Sequence, residues 1–239
     1  MFSFLEREAK KVLRKVGWHT NKYQREEVRR IAKDVISIST LPDLDAQYLP
    51  WTKAALRPAA VSALLNEIVI HKRKKILEIG SGISTVYIAK IINESKKIIS
   101  IEEDKGWCDT VRNFIKEEGV SSSKYEIIHS PLNEIDESTP KWYDREVLGS
   151  ALEGKRFDML FVDGPPADSK ETRHDRYPAL PFLSKYLGKE FVVFLDDAKR
   201  GGEKEVVREW EKEFSLERSY SAGMAVFRPP ESGKTFDII

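Results

Sequence analysis

The residues of this chain that could do chemistry are mostly carboxylates, and most stand at the ends of apolar runs. Glu78 lies inside the run 76–79, just ahead of Gly80-Ser81-Gly82 and Ser84. A glycine turn between an apolar run and a helix start lets the backbone bend sharply and approach a ligand. The helix N-terminus there offers unpaired N–H groups. A carboxylate in an apolar strand needs a partner, and a cation or N–H group is expected for Glu78. Glu102 closes the next apolar run, 22 positions after Gly80 (102 − 80). A carboxylate there can accept both hydroxyls of a ribose. Asp163 follows the run 157–162, and Asp196-Asp197 follow the run 191–195. Three convergent carboxylates repel and raise one another's proton affinity unless a cation sits among them. Such oxygen ligands suit Mg²⁺, Mn²⁺ or Ca²⁺ rather than zinc. Each aspartate taken alone reads equally well as a helix N-cap.

To converge, these residues need a scaffold that brings strand ends to one edge. From His71 onward strand and helix patterns alternate. Strands are expected at 75–79, 97–101, 125–129, 157–162 and 191–195, with helices at about 84–92, 107–118, 177–187 and 203–214. Two late strands, near 216–220 and 224–228, read as an antiparallel hairpin. The pattern predicts an α/β fold with a mainly parallel sheet and helices on both faces. Ligands on such sheets bind outside the carboxyl ends of the strands. Ahead of this domain, apolar spacing predicts helices at 4–16, 24–36 and 59–69, the last preceded by an irregular proline-containing stretch. The expected division is a helical extension, 1–45, and a main domain, 46–239.

Bulk properties narrow the classes. A chain of 239 residues with 41% hydrophobic residues can bury a sizeable core. A net charge of +1 argues against a strongly basic nucleic-acid surface. One cysteine, Cys108, excludes an intramolecular disulfide and a cysteine-rich zinc site. No apolar run approaches the roughly 18–20 residues of a membrane span. The N-terminal stretch is too short in apolar residues and too charged for a signal peptide, so a cytoplasmic protein is expected. Segment 1–34 carries ten Lys/Arg against five Asp/Glu. It reads as a solvated helical pair, with a substrate lid, a homodimer contact or a membrane-surface arm as the sharper roles.

Thr85 stands where a dinucleotide fingerprint has its third glycine, which speaks against a nucleotide-dependent oxidoreductase. Glu78-x-Gly80-x-Gly82-x-Ser84 instead resembles motif I of the class I S-adenosylmethionine (SAM) methyltransferases. ILEIGSG, IISIEED, WYD, FVDGPP, RYPALP and FLDDAKR follow in order over residues 56–228. Together they are similar to methyltransferase family 24, whose wider group includes metal-dependent O-methyltransferases of the catechol, caffeoyl-CoA and macrocin types. The resemblance implies a Rossmann-like SAM methyltransferase fold. It implies that Glu78, Gly80, Ser81, Gly82, Ser84, Glu102 and Asp163 hold SAM, with Ser130, Pro131 and Leu132 bordering the adenine. It implies Mg²⁺ on Asp163, Asp196 and Asp197, although Asp197 replaces the catechol-type asparagine. Gly164-Pro165-Pro166 stands where catechol-type enzymes carry a lysine base, so that base is absent. His174 is the candidate general base beside Asp163, because histidine titrates in the useful range. Arg173 and Arg176 flank it, either gripping an anionic or sugar-bearing acceptor or standing solvated. Trp142 and Tyr143 read equally as stacking surfaces or as core. The expected reaction is O-methylation of a small molecule or glycan. A non-catalytic SAM-fold binding module is the rival, and an RNA methyltransferase is disfavoured by the charge.

Overall fold

The computed structural model describes residues 22–41, 49–52, 54–134, 141–167 and 169–230. The helix expected at 4–16 lies outside these residues. The chain enters with α1 (Lys22–Thr40) and α2 (Pro58–Ile70), then alternates β1 (Lys75–Ile79), α3 (Ile83–Ile91), β2 (Lys97–Glu102), α4 (Lys105–Glu117) and β3 (Tyr125–His129). Next come β4 (Leu132–Asn133), β5 (Trp142–Tyr143), α5 (Arg145–Leu152), β6 (Phe157–Val162) and α6 (Ala179–Leu183). It closes with β7 (Leu187–Leu195), α7 (Gly201–Glu213), β8 (Glu217–Ser221) and β9 (Met224–Arg228).

Seven strands form one sheet in the order β3-β2-β1-β6-β7-β9-β8. The first five run parallel, and β9 and β8 add an antiparallel hairpin edge. The chain winds outward from β1 to β3 and then returns to β6 on the other side of β1. The crevice between the carboxyl ends of β1 and β6 is therefore the topological switch point, where open α/β sheets take their ligands.

Strand alternation divides the core in two. Ile76, Met159, Phe161, Phe194 and Val226 pack towards α2, α3 and α4. Leu77, Ile79, Leu160, Val162, Val193 and Leu195 pack towards α5, α6 and α7. Glu78 shares the face of Ile76 and is fully buried. Among the described residues no helix is long and apolar enough to cross a membrane.

Three elements differ from the sequence reading. The helix expected at 177–187 shrinks to Ala179–Leu183 and a 3₁₀ turn at Ser184–Tyr186, with Pro178 as its N-cap. The strand expected at 191–195 begins earlier, at Leu187, with a register shift against β6. Trp142-Tyr143, for which no strand was expected, forms a second, two-stranded sheet with Leu132-Asn133, too short to leave a periodic signal. Trp142 and Tyr143 are core residues, each 1% exposed.

Candidate active site

The glycine turn after β1 is built for close backbone approach. Gly80 has φ +89°, and a Cβ there would lie 3.0 Å from the Gly164 nitrogen after β6. Gly82 differs, because a Cβ there would meet nothing within 4 Å and would project into an open cavity. Among the described residues Glu78 finds neither a cation nor an N–H group. Its oxygens accept from the hydroxyls of Ser84 (2.6 Å) and Thr85 (2.5 Å). Thr85 Oγ1 in turn accepts the Gly82 N–H at 2.9 Å. Residue 85, read as a missing glycine, is thus the pin that holds the turn to the strand. Burial pushes the Glu78 carboxyl up to about 6 although the hydroxyls favour its ionised form.

Glu102, at the end of β2, clasps the same turn. One oxygen accepts from the Ser81 N–H (2.8 Å) and hydroxyl (3.0 Å), and the other from the Asp104 N–H (3.0 Å). Burial, and then the neighbouring Glu103 charge, push it up to about 7. Asp104 caps α4 by accepting from the Trp107 N–H, and the Trp107 indole N–H donates to the Ser81 carbonyl at 2.8 Å. The sequence reading missed both contacts: an Asp three residues ahead of a helical position is a local cap signal, whereas the indole's reach back to Ser81 leaves none.

These loops enclose a cavity of about 390 Å³. Gly80, Ser81, Gly82, Ser84, Glu102 and Asp163 line it, and Pro50, Thr52 and Leu56 form the facing wall. Glu78 is not among the lining residues; it stands behind the turn. Nor are Ser130, Pro131 and Leu132. Ser130 is buried and donates its N–H to the Glu102 carbonyl, while Leu132 pairs with Tyr143 in the small sheet. His129 Nε2 lies 3.0 Å from the Glu103 carbonyl. The lining fits SAM in kind. It pairs the space a Gly82 Cβ would fill with carboxylates for hydroxyl and ammonium groups.

The three aspartates converge. One oxygen each from Asp163, Asp196 and Asp197 lies within 4.8 Å of the others. A cation already sits among them. Arg176, 4% exposed, donates from Nη2 to the Asp163 carbonyl (2.7 Å) and carboxylate (3.2 Å), and from Nε to the Pro165 carbonyl (3.1 Å). Its Nη1 lies 3.6 Å from Asp197 and 3.8 Å from the buried Glu203. Arg176 is therefore neither solvated nor an acceptor grip. Burial opposes its charge, but Asp163, Asp196, Asp197 and Glu203 outweigh that and raise its pKa. Burial, then mutual repulsion, raises Asp163 well above the carboxylate range and brings Asp196 to about 6. In donor type the aspartates suit Mg²⁺. Arg176, with Arg200 on Asp197, offsets only part of the charge of the three aspartates and Glu203, so the cluster still fits a cation, which Asp163, Asp196 and Asp197 would hold.

His174 lies apart from this cluster's hydrogen bonds. Its Nε2 is 2.7 Å from the Glu205 carboxylate on α7, which also receives Arg173 at 2.8 Å. Neither cavity described here has His174 among its lining residues. The second cavity, about 560 Å³, runs from α1 and the start of α2 to the β8–β9 turn, and reaches Asp196 and Asp197. The two cavities thus border one acidic cluster from two sides, Asp163 in the first and Asp196-Asp197 in the second.

This geometry agrees with the comparisons. A family model described as a methyltransferase domain, family 24, matches residues 77–198. No curated protein sequence matches the chain at a significant level. Solved structures share the fold at low identity. An SAH-bound (S-adenosylhomocysteine) methyltransferase of Podospora anserina, PaMTH1, is 15% identical with a TM-score of 0.59, covering 90% of this chain and 98% of its own. An O-methyltransferase of Bacillus cereus in complex with SAH is 13% identical with a TM-score of 0.56, covering 82% of this chain and 90% of its own. TomG of Streptomyces achromogenes, an O-methyltransferase of tomaymycin synthesis in complex with SAM, is 14% identical with a TM-score of 0.55, covering 84% of this chain and 90% of its own. With half of its length under the family model and the switch-point cavity where that model lies, the chain belongs to methyltransferase family 24 and is a class I methyltransferase.

Proposed function

We propose that the protein transfers a methyl group from SAM to an oxygen of a small-molecule or sugar acceptor. The observation that carries this reading is the pair of cavities bordering one acidic cluster, one suited to a nucleoside and the other left for an acceptor. When bound, SAM supplies a methyl group on a sulfonium, which in-line attack by an acceptor oxygen displaces. The chain's own residues prepare that attack. Ser81, Gly82 and Glu102 hold the nucleoside side. Glu78 acts through Ser84 and Thr85, keeping the turn in shape. Positioning of this kind is worth roughly 7–11 kcal/mol of barrier at best.

An alcohol must lose its proton as it attacks. Asp196 borders the acceptor cavity and titrates at about 6, within reach of neutral pH. It takes the base role in this reading in place of His174, which is held by Glu205. Arg176 offsets part of the charge of the cluster on which the catechol-type resemblance implied Mg²⁺. The test is calorimetric titration with SAM followed by turnover on a panel of hydroxylated acceptors. Glu102→Ala weakens SAM binding about tenfold or more, the loss of a charged hydrogen-bond partner. Asp196→Ala leaves SAM binding intact and lowers turnover by about 10²–10⁴. No SAM binding by the wild type, checked by a second method, overturns the reading and returns the binding-module alternative.

A further inference from the structure

We propose that the acceptor carries a phosphate or sulfate group, and that Arg29, Lys33, Arg57 and Lys199 bind this group in the second cavity. The inference rests on the methyl-transfer reading only for naming the ligand as the acceptor; the anion site stands on its own residues.

Six cations line that cavity, Arg29, Arg30, Lys33, Arg57, Lys199 and Arg200, against three carboxylates, Glu26, Asp196 and Asp197. The chain as a whole is nearly neutral, at +1, so the cavity concentrates charge that composition does not explain. Part of it is answered internally. Arg57 meets Asp34 at 2.5 Å, Arg200 meets Asp197 at 2.7 Å, and Arg30 pairs with Glu27. Arg29 and Lys199 make no hydrogen bond or ion pair among the described residues. They approach the cavity from opposite elements, α1 and the β7–α7 loop.

The rest of the lining points the same way. Its uncharged members are Ala59, Ala222 and Gly223, with no aromatic or large aliphatic side chain to receive a ring or an acyl chain. A site of about 560 Å³ walled by guanidinium and ammonium groups recognises a compact polar anion. Guanidinium forks and ammonium groups match the oxygens of phosphate and sulfate, and the paired Arg57 still offers donors that Asp34 does not use. Asp196 and Asp197 line the same cavity and repel an anion, so an acceptor whose phosphate or sulfate is held by the cations leaves its hydroxyl for Asp196. The anion-gripping role that the sequence suggested for Arg173 and Arg176 thus passes to residues of α1 and the β7–α7 loop.

The experiment titrates inorganic pyrophosphate, and separately inorganic sulfate, into the SAH-loaded protein by calorimetry, with chloride at matched ionic strength as the blank. Vesicles containing an anionic phospholipid form a third arm, because a lipid headgroup presents the same phosphate chemistry. The expected result is saturable binding of pyrophosphate or sulfate that the Arg29→Ala/Lys199→Ala double variant weakens tenfold or more. SAH affinity is unchanged in that variant, and Lys116→Ala, on exposed α4, changes neither. Absence of anion binding to protein that binds SAH overturns the inference. So does anion binding indifferent to the double variant, or binding to vesicles alone. Failure to bind SAH, with anion binding retained, counts against the methyl-transfer reading and leaves the anion site in place.

Discussion

At the scale of single residues, Arg176 carries the most weight. Nothing in RYPALP marks its arginine as buried, and the pattern of acids at strand ends reads as a metal site. Packed together, the same acids turn out to be arranged around a guanidinium. Removing one partner of a buried charge cluster leaves the others uncompensated. Arg176→Ala is therefore expected to tighten divalent-cation binding at the three aspartates. Manganese titration followed by electron paramagnetic resonance shows higher affinity in Arg176→Ala than in the wild type, and Asp196→Asn weakens it in both. Equal affinity with and without Arg176 removes its role in the cluster's charge. Thr85 teaches the same lesson on a smaller scale. Its identity was legible as a departure from a glycine fingerprint, but its bond to Glu78 depends on a helix start folding back over the strand.

At the scale of elements, apolar period gave the strands closely, because a strand buried on both faces leaves a continuous apolar run. Helix ends and short ladders were less legible, since two-residue pairings such as β4–β5 have no period to read. One junction between elements was invisible in the sequence. Glu67 of α2, 2% exposed, receives Arg73 Nε at 2.9 Å and Arg228 of β9 at 2.5 Å. This ties the helix to the closing hairpin. Glu67→Ala leaves two buried guanidinium groups facing one another. A loss of about 3–5 kcal/mol is expected, read as a lower urea midpoint, with Glu67→Gln losing less because it keeps one acceptor oxygen. A midpoint unchanged in both variants removes the junction's stabilising role.

At the scale of the whole molecule, the fold gathers carboxylates at one sheet edge and keeps several of them reluctant to ionise. Burial first, then neighbouring charge where there is one, raises Glu78 and Asp196 to about 6 and Glu102 to about 7. Their folded values lie above the unfolded ones, so the folded state binds more protons across this window. Stability of the ligand-free protein then falls as pH rises from about 4.5 through about 7. For fully buried Glu78 the shift is worth about 2 kcal/mol. Asp144 and Glu171, whose pKa values are lowered, act with the opposite sign and only at more acidic pH. The expected outcome is a melting temperature higher at pH 5.5 than at pH 7.5, with the difference reduced in Glu78→Gln. A ligand that carries an ammonium group and binds near these carboxylates favours their ionised form, so SAM binding tightens over the same range. A melting temperature that rises steadily from pH 5.5 to 7.5 contradicts the assignment.

The sequence by itself determined the α/β alternation, the parallel sheet with its closing hairpin, the glycine turn and the acidic strand ends. These depend on neighbours in the chain and on strand and helix period. Tertiary structure alone decided that Glu78 and Ser130 stay out of the lining of the cavity at the glycine turn, that Glu205 holds His174, and that Arg176 occupies the acidic cluster. It also brought Arg29, Arg30 and Lys33 of α1 into one cavity with Asp196 and Asp197. Those outcomes turn on which side chains meet across loops far apart in sequence. Burial and charge balance settle such meetings, and neither leaves a period in the chain.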